Sequence, residues 1–160
     1  MIEVQILVGN IGTGKSTHSK NLDNSWLIWN NDVVRRMFHP NEYVFDRKEN
    51  EIILELRSHF ICYSLRLGYN VCIDDTNIKI EYRKYMIDTI REWESGMGGV
   101  KIICVDFGSG DDYTLARRLG RRPRGISRER WTDTHKHLKE TYEKPTLDEG
   151  FDEIIQGEII

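Results

Sequence analysis

The run Gly9-Asn10-Ile11-Gly12-Thr13-Gly14-Lys15-Ser16 follows directly on the apolar stretch Val4 to Val8, and no other feature of the chain restricts its fold so tightly. A buried strand has to turn through glycines into a helix opened by Lys15 and Ser16, which is the order of a phosphate-binding loop. Gly12 and Gly14 let successive backbone N–H groups point at one anion, and the dipole of the following helix adds partial positive charge there. Lys15 is placed to reach the β- and γ-phosphates of a nucleoside triphosphate, and Ser16 to ligate Mg²⁺. The set expected to hold phosphate is Gly9, Asn10, Gly12, Thr13, Gly14, Lys15, Ser16 and Thr17.

The 160 residues fit one domain with a single core. A net charge of -3, with 31% charged residues, argues against a surface coated for nucleic acid, so any such contact must be local. Met1 leads almost at once into the first strand without a signal peptide, and no apolar stretch approaches the roughly 20 residues of a membrane helix. The expectation is a cytoplasmic protein with no membrane contact. Cys62, Cys72 and Cys104 are odd in number and lie in apolar segments, as reduced core thiols do. His135 and His137 lack partners at metal spacing and read as solvated helix residues.

Apolar runs at Val4 to Val8, Trp26 to Trp29, Val71 to Ile73 and Val100 to Val105 predict short buried strands separated by helices. That alternation implies an α/β protein with a parallel sheet and helices on both faces. Ile52, Leu56, Phe60, Tyr63 and Leu67 recur at helical steps before Gly68, where a left-handed cap is wanted. A second stripe, Tyr82, Met86, Ile90 and Trp93, ends at the Gly96, Gly98, Gly99 cluster. Both stripes are expected to face the core.

After the second apolar run the chain reads Trp29-Asn30-Asn31-Asp32-Val33-Val34-Arg35-Arg36, where a strand's carboxyl end passes into a helix. Functional groups of open α/β sheets gather at that edge. Asp32 and Arg35 are three apart and share a helix face, although a helix cap plus a surface ion pair accounts for them equally well. The third run delivers Asp74 and Asp75, followed by Thr76 and Asn77, to the same edge. Such an acid can hold Mg²⁺ or its water shell, while Asp75, Thr76 and Asn77 would also cap the helix of Glu81 to Trp93. From Arg117 to Arg130 there are seven arginines, with Arg118 and Arg122 four apart on one expected helix face. Planar bidentate donors suit phosphate oxygens, and incoming guanidinium groups stabilise the charge that phosphoryl transfer spreads.

Gly9 to Thr17, Asp32 with Arg35, Asp75-Thr76-Asn77, and Arg118 with Arg122 resemble, in order and spacing over nearly the whole chain, the kinase domain of phage polynucleotide 5′-kinases. The tail from Pro145 to Ile154 is similar to the closing segment of kinase domains in the wider polynucleotide kinase group. The resemblance implies an adenylate-kinase-like P-loop kinase fold with an Arg-rich helical lid over about 111–140, within one domain 1–160. It implies transfer of the γ-phosphoryl of ATP, with Mg²⁺ as cofactor, to a 5′-hydroxyl end of DNA or RNA in end repair. On that resemblance Asp32 is the general base, while Lys15, Ser16 and Mg²⁺ hold the leaving phosphates and Arg122 neutralises charge as the bond breaks. Arg35 grips the phosphate 3′ to the acceptor nucleoside, with Thr76 and Asn77 on the acceptor side, and Arg118 lies on the ATP side of the lid. Asp75 stands beside Ser16 at the metal, with Asp74 as its substitute.

Well-known phage members continue into a 3′-phosphatase domain with an Asp-x-Asp motif that this sequence lacks, so a kinase without that domain is expected. A separate phosphatase or ligase partner stays open, as does a host cytoplasm if the chain is phage-encoded. Pro123 and Gly125 loosen the match, so that Arg117 or Arg121 could stand in for Arg118 or Arg122. The alternative is a small-molecule or nucleoside kinase on the same scaffold, in which only the acceptor pocket differs. A guanine-nucleotide switch would ordinarily add Asp-x-x-Gly and Asn-Lys-x-Asp, and neither occurs. Donor base, DNA or RNA preference and oligomeric state leave no mark in the sequence.

Overall fold

A computed structural model of the chain describes residues 1–94, 99–121 and 126–158. Five strands, β1 (Ile2–Val8), β2 (Trp26–Trp29), β3 (Asn70–Ile73), β4 (Val100–Asp106) and β5 (Glu153–Gln156), form one sheet in the order β2-β3-β1-β4-β5. Every neighbouring pair is parallel, with Val4 of β1 opposite Val71 on one side and Ile102 on the other. The connections carry α1 (Lys15–Lys20), α2 (Asn31–Phe38), α3 (Arg47–Arg66), α4 (Ile80–Glu94), α5 (Asp112–Leu119) and α6 (Arg128–Glu140). A 3-10 turn, Leu147–Glu149, leads into β5, a fifth strand beyond the four apolar runs. Among the described residues no helix is long and apolar enough to cross a membrane.

Successive strand residues point to opposite faces, and the core divides accordingly. Val4, Ile6 and Val8 of β1, Val71 and Ile73 of β3, and Ile102 and Cys104 of β4 pack with Ile53, Ile61 and Leu65 of α3 and Met86, Ile87 and Ile90 of α4. Leu7, Cys72, Ile103 and Val105 fill the thinner opposite side with Phe107. Each such aliphatic side chain stabilises the fold by about 1.5–3 kcal/mol, so the α3–α4 side supplies most of the rigidity on which the strand ends are held. All three cysteines are free thiols, Cys72 and Cys104 buried and Cys62 half-buried.

The long helix turns a different face inward from the expected one. Ile53, Arg57, Ile61, Ser64 and Leu65 are buried, whereas Ile52, Leu56, Tyr63 and Leu67 of the predicted core stripe are exposed and Phe60 is half-buried. Two apolar rows overlap on this helix, and Arg57 interrupts the one that packs, which made the solvent row the more regular of the two. The second stripe holds better: Met86 and Ile90 are buried and Trp93 half-buried, but Tyr82 is exposed and Arg83 and Ile87 complete the core face. Gly68 takes the left-handed φ of 85° expected at the end of α3. Gly96 and Gly98 lie outside the described residues.

Arg83 is wholly buried and bidentate on Glu149, with Nε on Oε2 at 2.7 Å and an Nη on Oε1 at 2.8 Å. The pair clamps the 3-10 turn to α4. Its third bond, to the Asn77 carbonyl at 3.0 Å, carries the clamp to the loop after β3. Removing one partner of such a buried pair costs about 3–5 kcal/mol, because the other charge is left desolvated.

Candidate active site

The glycine loop leaves β1 between the extensions of its two neighbours. Gly9 N–H donates to the Thr76 carbonyl at 2.9 Å and Asn10 N–H to the Gly108 carbonyl at 3.1 Å. Gly12, at φ 79°, lies so near α5 that a Cβ would stand 2.1 Å from the Thr114 carbonyl oxygen. Only glycine tolerates that approach. Gly14 is the N-cap of α1 and supplies no side-chain cap, so the N–H groups of Lys15 and Ser16 remain for an anion. Thr13 donates its hydroxyl to the Asn10 carbonyl at 2.8 Å, and Thr17 lines the cleft beside it.

Lys15 is folded back on its own loop, donating Nζ to the carbonyls of Gly9 at 2.9 Å and Asn10 at 2.6 Å. Burial lowers its pKa to about 8, with Asp74 and Asp75 pulling the other way. Asn10 differs from its expected role as a phosphate ligand in what its side chain does. The amide donates to the carbonyls of Ser109 at 2.7 Å and His135 at 2.8 Å, so the side chain fastens the loop to α6. His135 is correspondingly buried, not solvated as expected, with Nε2 3.1 Å from the Thr114 hydroxyl. A lone histidine in a charged helix gave no sign of this. His137 is exposed as expected.

The two acids after β3 part company. Asp74 is buried and accepts from Ser16 Oγ at 3.4 Å and Ser19 Oγ at 3.0 Å, so it is the acid that stands against the loop serine. Asp75 turns toward α2, with Oδ1 accepting the Asn31 N–H at 3.0 Å and Oδ2 lacking a hydrogen-bond partner among the described residues. Desolvation raises its pKa to about 7 against the Asn31 bond and the charge of Arg57. Thr76 contributes its carbonyl to Gly9. Asn77, in the left-handed region at φ 43°, is buried and donates its amide to the Leu7 carbonyl at 2.8 Å. Neither these residues nor Asp75 caps α4, because the Ile80 N–H is taken by Glu143 at 2.6 Å.

Across the cleft, Asp32 and Arg35 share a face of α2 as the spacing predicts. Arg35 is buried and donates to Asp32 Oδ1 at 2.7 Å and to Asn50 at 2.5 Å, with its guanidinium 4.9 Å over the Phe45 ring. The Tyr43 hydroxyl donates to the same Asp32 oxygen at 2.8 Å. Asp32 itself is half-exposed. It is not the helix cap, since the Asn30 side chain accepts the Val33 N–H at 3.0 Å. Tyr43, Asn50 and Phe45 had no sequence signal as parts of this group.

The lid segment is two helices, with α5 ending at Leu119 and Gly120. Arg122, expected to share a helix face with Arg118, lies like Pro123 and Gly125 outside the described residues. Arg118 stacks 3.6 Å over the Trp131 ring of α6. One cleft of about 1320 Å³ runs through all these parts, lined by Lys15, Ser16, Asp32, Arg35, Asp74, Arg118, Arg121 and Arg130 among others. The phosphate loop and the Asp32 carboxylate thus open on a common space. Mg²⁺ with a triphosphate fits the donor set, because Ser16 Oγ and Asp74 lie together and this ion takes few protein ligands beside phosphate oxygens.

No curated protein matches the sequence. Among solved structures, a chain of the Pnkp1/Rnl/Hen1 RNA repair complex superposes with TM-score 0.67 at 22% identity, over 88% of this chain and 45% of that one. This chain therefore spans less than half of that protein's length. A fungal RNA kinase gives TM-score 0.70 at 17% identity over 99% of this chain and 76% of that one. A gluconokinase from Sinorhizobium meliloti gives 0.58 at 15% over 98% and 82%. Likeness at these identities establishes a fold and leaves the acceptor open. The AAA domain family (AAA_33) matches residues 4–145, and together with the parallel sheet and its glycine loop this makes the chain a member of that family built on the P-loop kinase fold.

Proposed function

We propose that the protein transfers the γ-phosphoryl of ATP to the 5′-hydroxyl end of a DNA or RNA strand. The observation that carries this reading is Asp32, a half-exposed carboxylate on the same cleft as the phosphate loop, gripped at one oxygen by Arg35 and Tyr43. With Oδ1 so occupied, Oδ2 is the atom left to take the proton of the attacking hydroxyl. The new P–O5′ bond forms as the bond from the γ-phosphorus to the bridging oxygen breaks, and ADP carries off that electron pair.

Bound with the triphosphate, Mg²⁺ would supply neutralisation of phosphate charge, held by Ser16 and by Asp74 in preference to Asp75. Lys15 exchanges its two loop carbonyls for β- and γ-phosphate oxygens, and the loop N–H groups from Gly12 to Ser16 cradle them. Arg118 and Arg122 bring lid charge to the donor. Arg35 reaches the phosphate 3′ to the acceptor nucleoside while keeping its hold on Asp32, with Thr76 and Asn77 forming the floor between the halves. Fold relatives described as an RNA kinase and as part of an RNA repair complex support a nucleic-acid acceptor. End repair ahead of ligation suits such an activity, with a phosphatase or ligase as a separate partner.

The test is direct. With ATP and Mg²⁺, an oligonucleotide bearing a 5′-hydroxyl gains one phosphate and its 5′-phosphorylated counterpart gains none. Labelling confined to free sugars or nucleosides would instead make the protein a small-molecule kinase, as the gluconokinase and deoxyadenosine kinase relatives are described.

A further inference from the structure

Arg57 is the buried group that the mechanism above does not use. It lies on the α3 face that lines the cleft, near Asn50, Leu54 and Phe60, and is only 4% exposed. Its Nε has no hydrogen-bond partner among the described residues, and neither has Asp75 Oδ2. Both residues line the same cleft, and each feels the other's charge. A buried donor and a buried acceptor left unmade are costly to a fold, and such orphans are completed by a ligand or an ordered water.

The surroundings narrow what that ligand is. Asp75 Oδ1 holds the N–H of Asn31, the residue before Asp32, so the gap is next to the position assigned to the attacking hydroxyl. The charges of Asp32 and Asp74 also reach Asp75, and this acidic surrounding disfavours a further phosphate beside it. A neutral group that accepts from Arg57 and donates to Asp75 satisfies both orphans. We infer that Arg57 and Asp75 form a subsite for the 5′-terminal nucleoside of the acceptor, which they hold through a neutral group that both accepts and donates a hydrogen bond. This rests on the polynucleotide reading. Two parts of that nucleoside have the chemistry, its 2′-hydroxyl and the polar edge of its base.

The experiment measures KM and kcat for three single-stranded acceptors that differ only at the 5′-terminal residue: ribonucleotide, deoxyribonucleotide, and abasic deoxyribose. In the native protein, KM rises roughly tenfold where the recognised group is lost, between the first two if it is the 2′-hydroxyl and between the last two if it is the base. Arg57→Met, which keeps the stem and removes the donors, levels the series, and Arg57→Lys restores part of it. The ATP KM in both variants reports on folding, and if Arg57→Met fails to fold, the native series alone decides. A native series that is flat, or an Arg57→Met loss equal on all three acceptors, overturns the subsite while leaving the kinase reading intact. Phosphorylation of none of the three by the native protein overturns that reading, and the subsite with it.

Discussion

On the donor side the phosphate loop is held by main-chain bonds, Gly9 on Thr76 and Asn10 on Gly108, and by the Asn10 side chain on the Ser109 and His135 carbonyls, with Thr114 pressed against Gly12. On the acceptor side, between α2 and α3, side chains hold one another: Arg35 on Asp32 and Asn50, Tyr43 on Asp32, Phe45 under Arg35. The contrast shows how one fold serves many acceptors. A cradle of backbone N–H groups depends on sequence only where a glycine is required, whereas a side-chain lattice can be rewritten residue by residue for a new substrate.

Substitutions on the two sides should therefore fail in different ways. Asp32→Asn removes the proton acceptor and keeps its shape, so kcat should drop by about 10²–10⁴-fold with ATP affinity unchanged, read by steady-state kinetics beside nucleotide titration. Near-normal turnover would mean another base. Arg35→Ala should cost about 2–5 kcal/mol on acceptors carrying a phosphate 3′ to the first nucleoside, and much less on nucleosides. Equal losses on both would detach Arg35 from that phosphate. Gly12→Ala meets the Thr114 carbonyl and a left-handed φ, so about 1–3 kcal/mol of stability should go, seen in urea unfolding, together with ATP affinity. An unchanged midpoint would show that α5 yields freely.

The smallest effect is one of pH. With Lys15 lowered by burial to about 8 from its ordinary 10.5, the folded protein binds fewer protons than the unfolded chain between those values. Through this group stability rises with pH across that window, because a buried ammonium is no longer forced on the fold. ATP binding should move oppositely, weakening by up to about tenfold per unit above pH 8 as the ammonium is lost, and Lys15→Arg should flatten that dependence. Parallel trends in the two measurements would place the titration elsewhere.

What the sequence made legible follows the same divide. The glycine loop, four of the strands and the proximity of Asp32 to Arg35 could be read because each depends on short-range spacing and the β–α alternation. Asn10 binding α6 and Asp75 capping α2 are contacts across 125 and 44 residues, and no local pattern encodes them. The choice between Asp74 and Asp75 turned on alternation at a strand end, where one residue decides which side of the sheet a carboxylate serves. The inward face of α3 was misjudged because Arg57 sits in it. That same guanidinium has no hydrogen-bond partner at Nε among the described residues, so one residue both breaks the apolar row and carries the proposed subsite.

The resting position of Lys15 has a consequence for selectivity. An incoming anion does not find a vacant ammonium; it has to take one away from two carbonyls that already satisfy it. Weak or singly placed anions gain little from that trade, whereas a chain of phosphates that also engages Ser16 and the loop N–H groups recovers the loss several times over. On the proposed function the loop would act as a threshold, answering a longer polyphosphate more readily than a single phosphate.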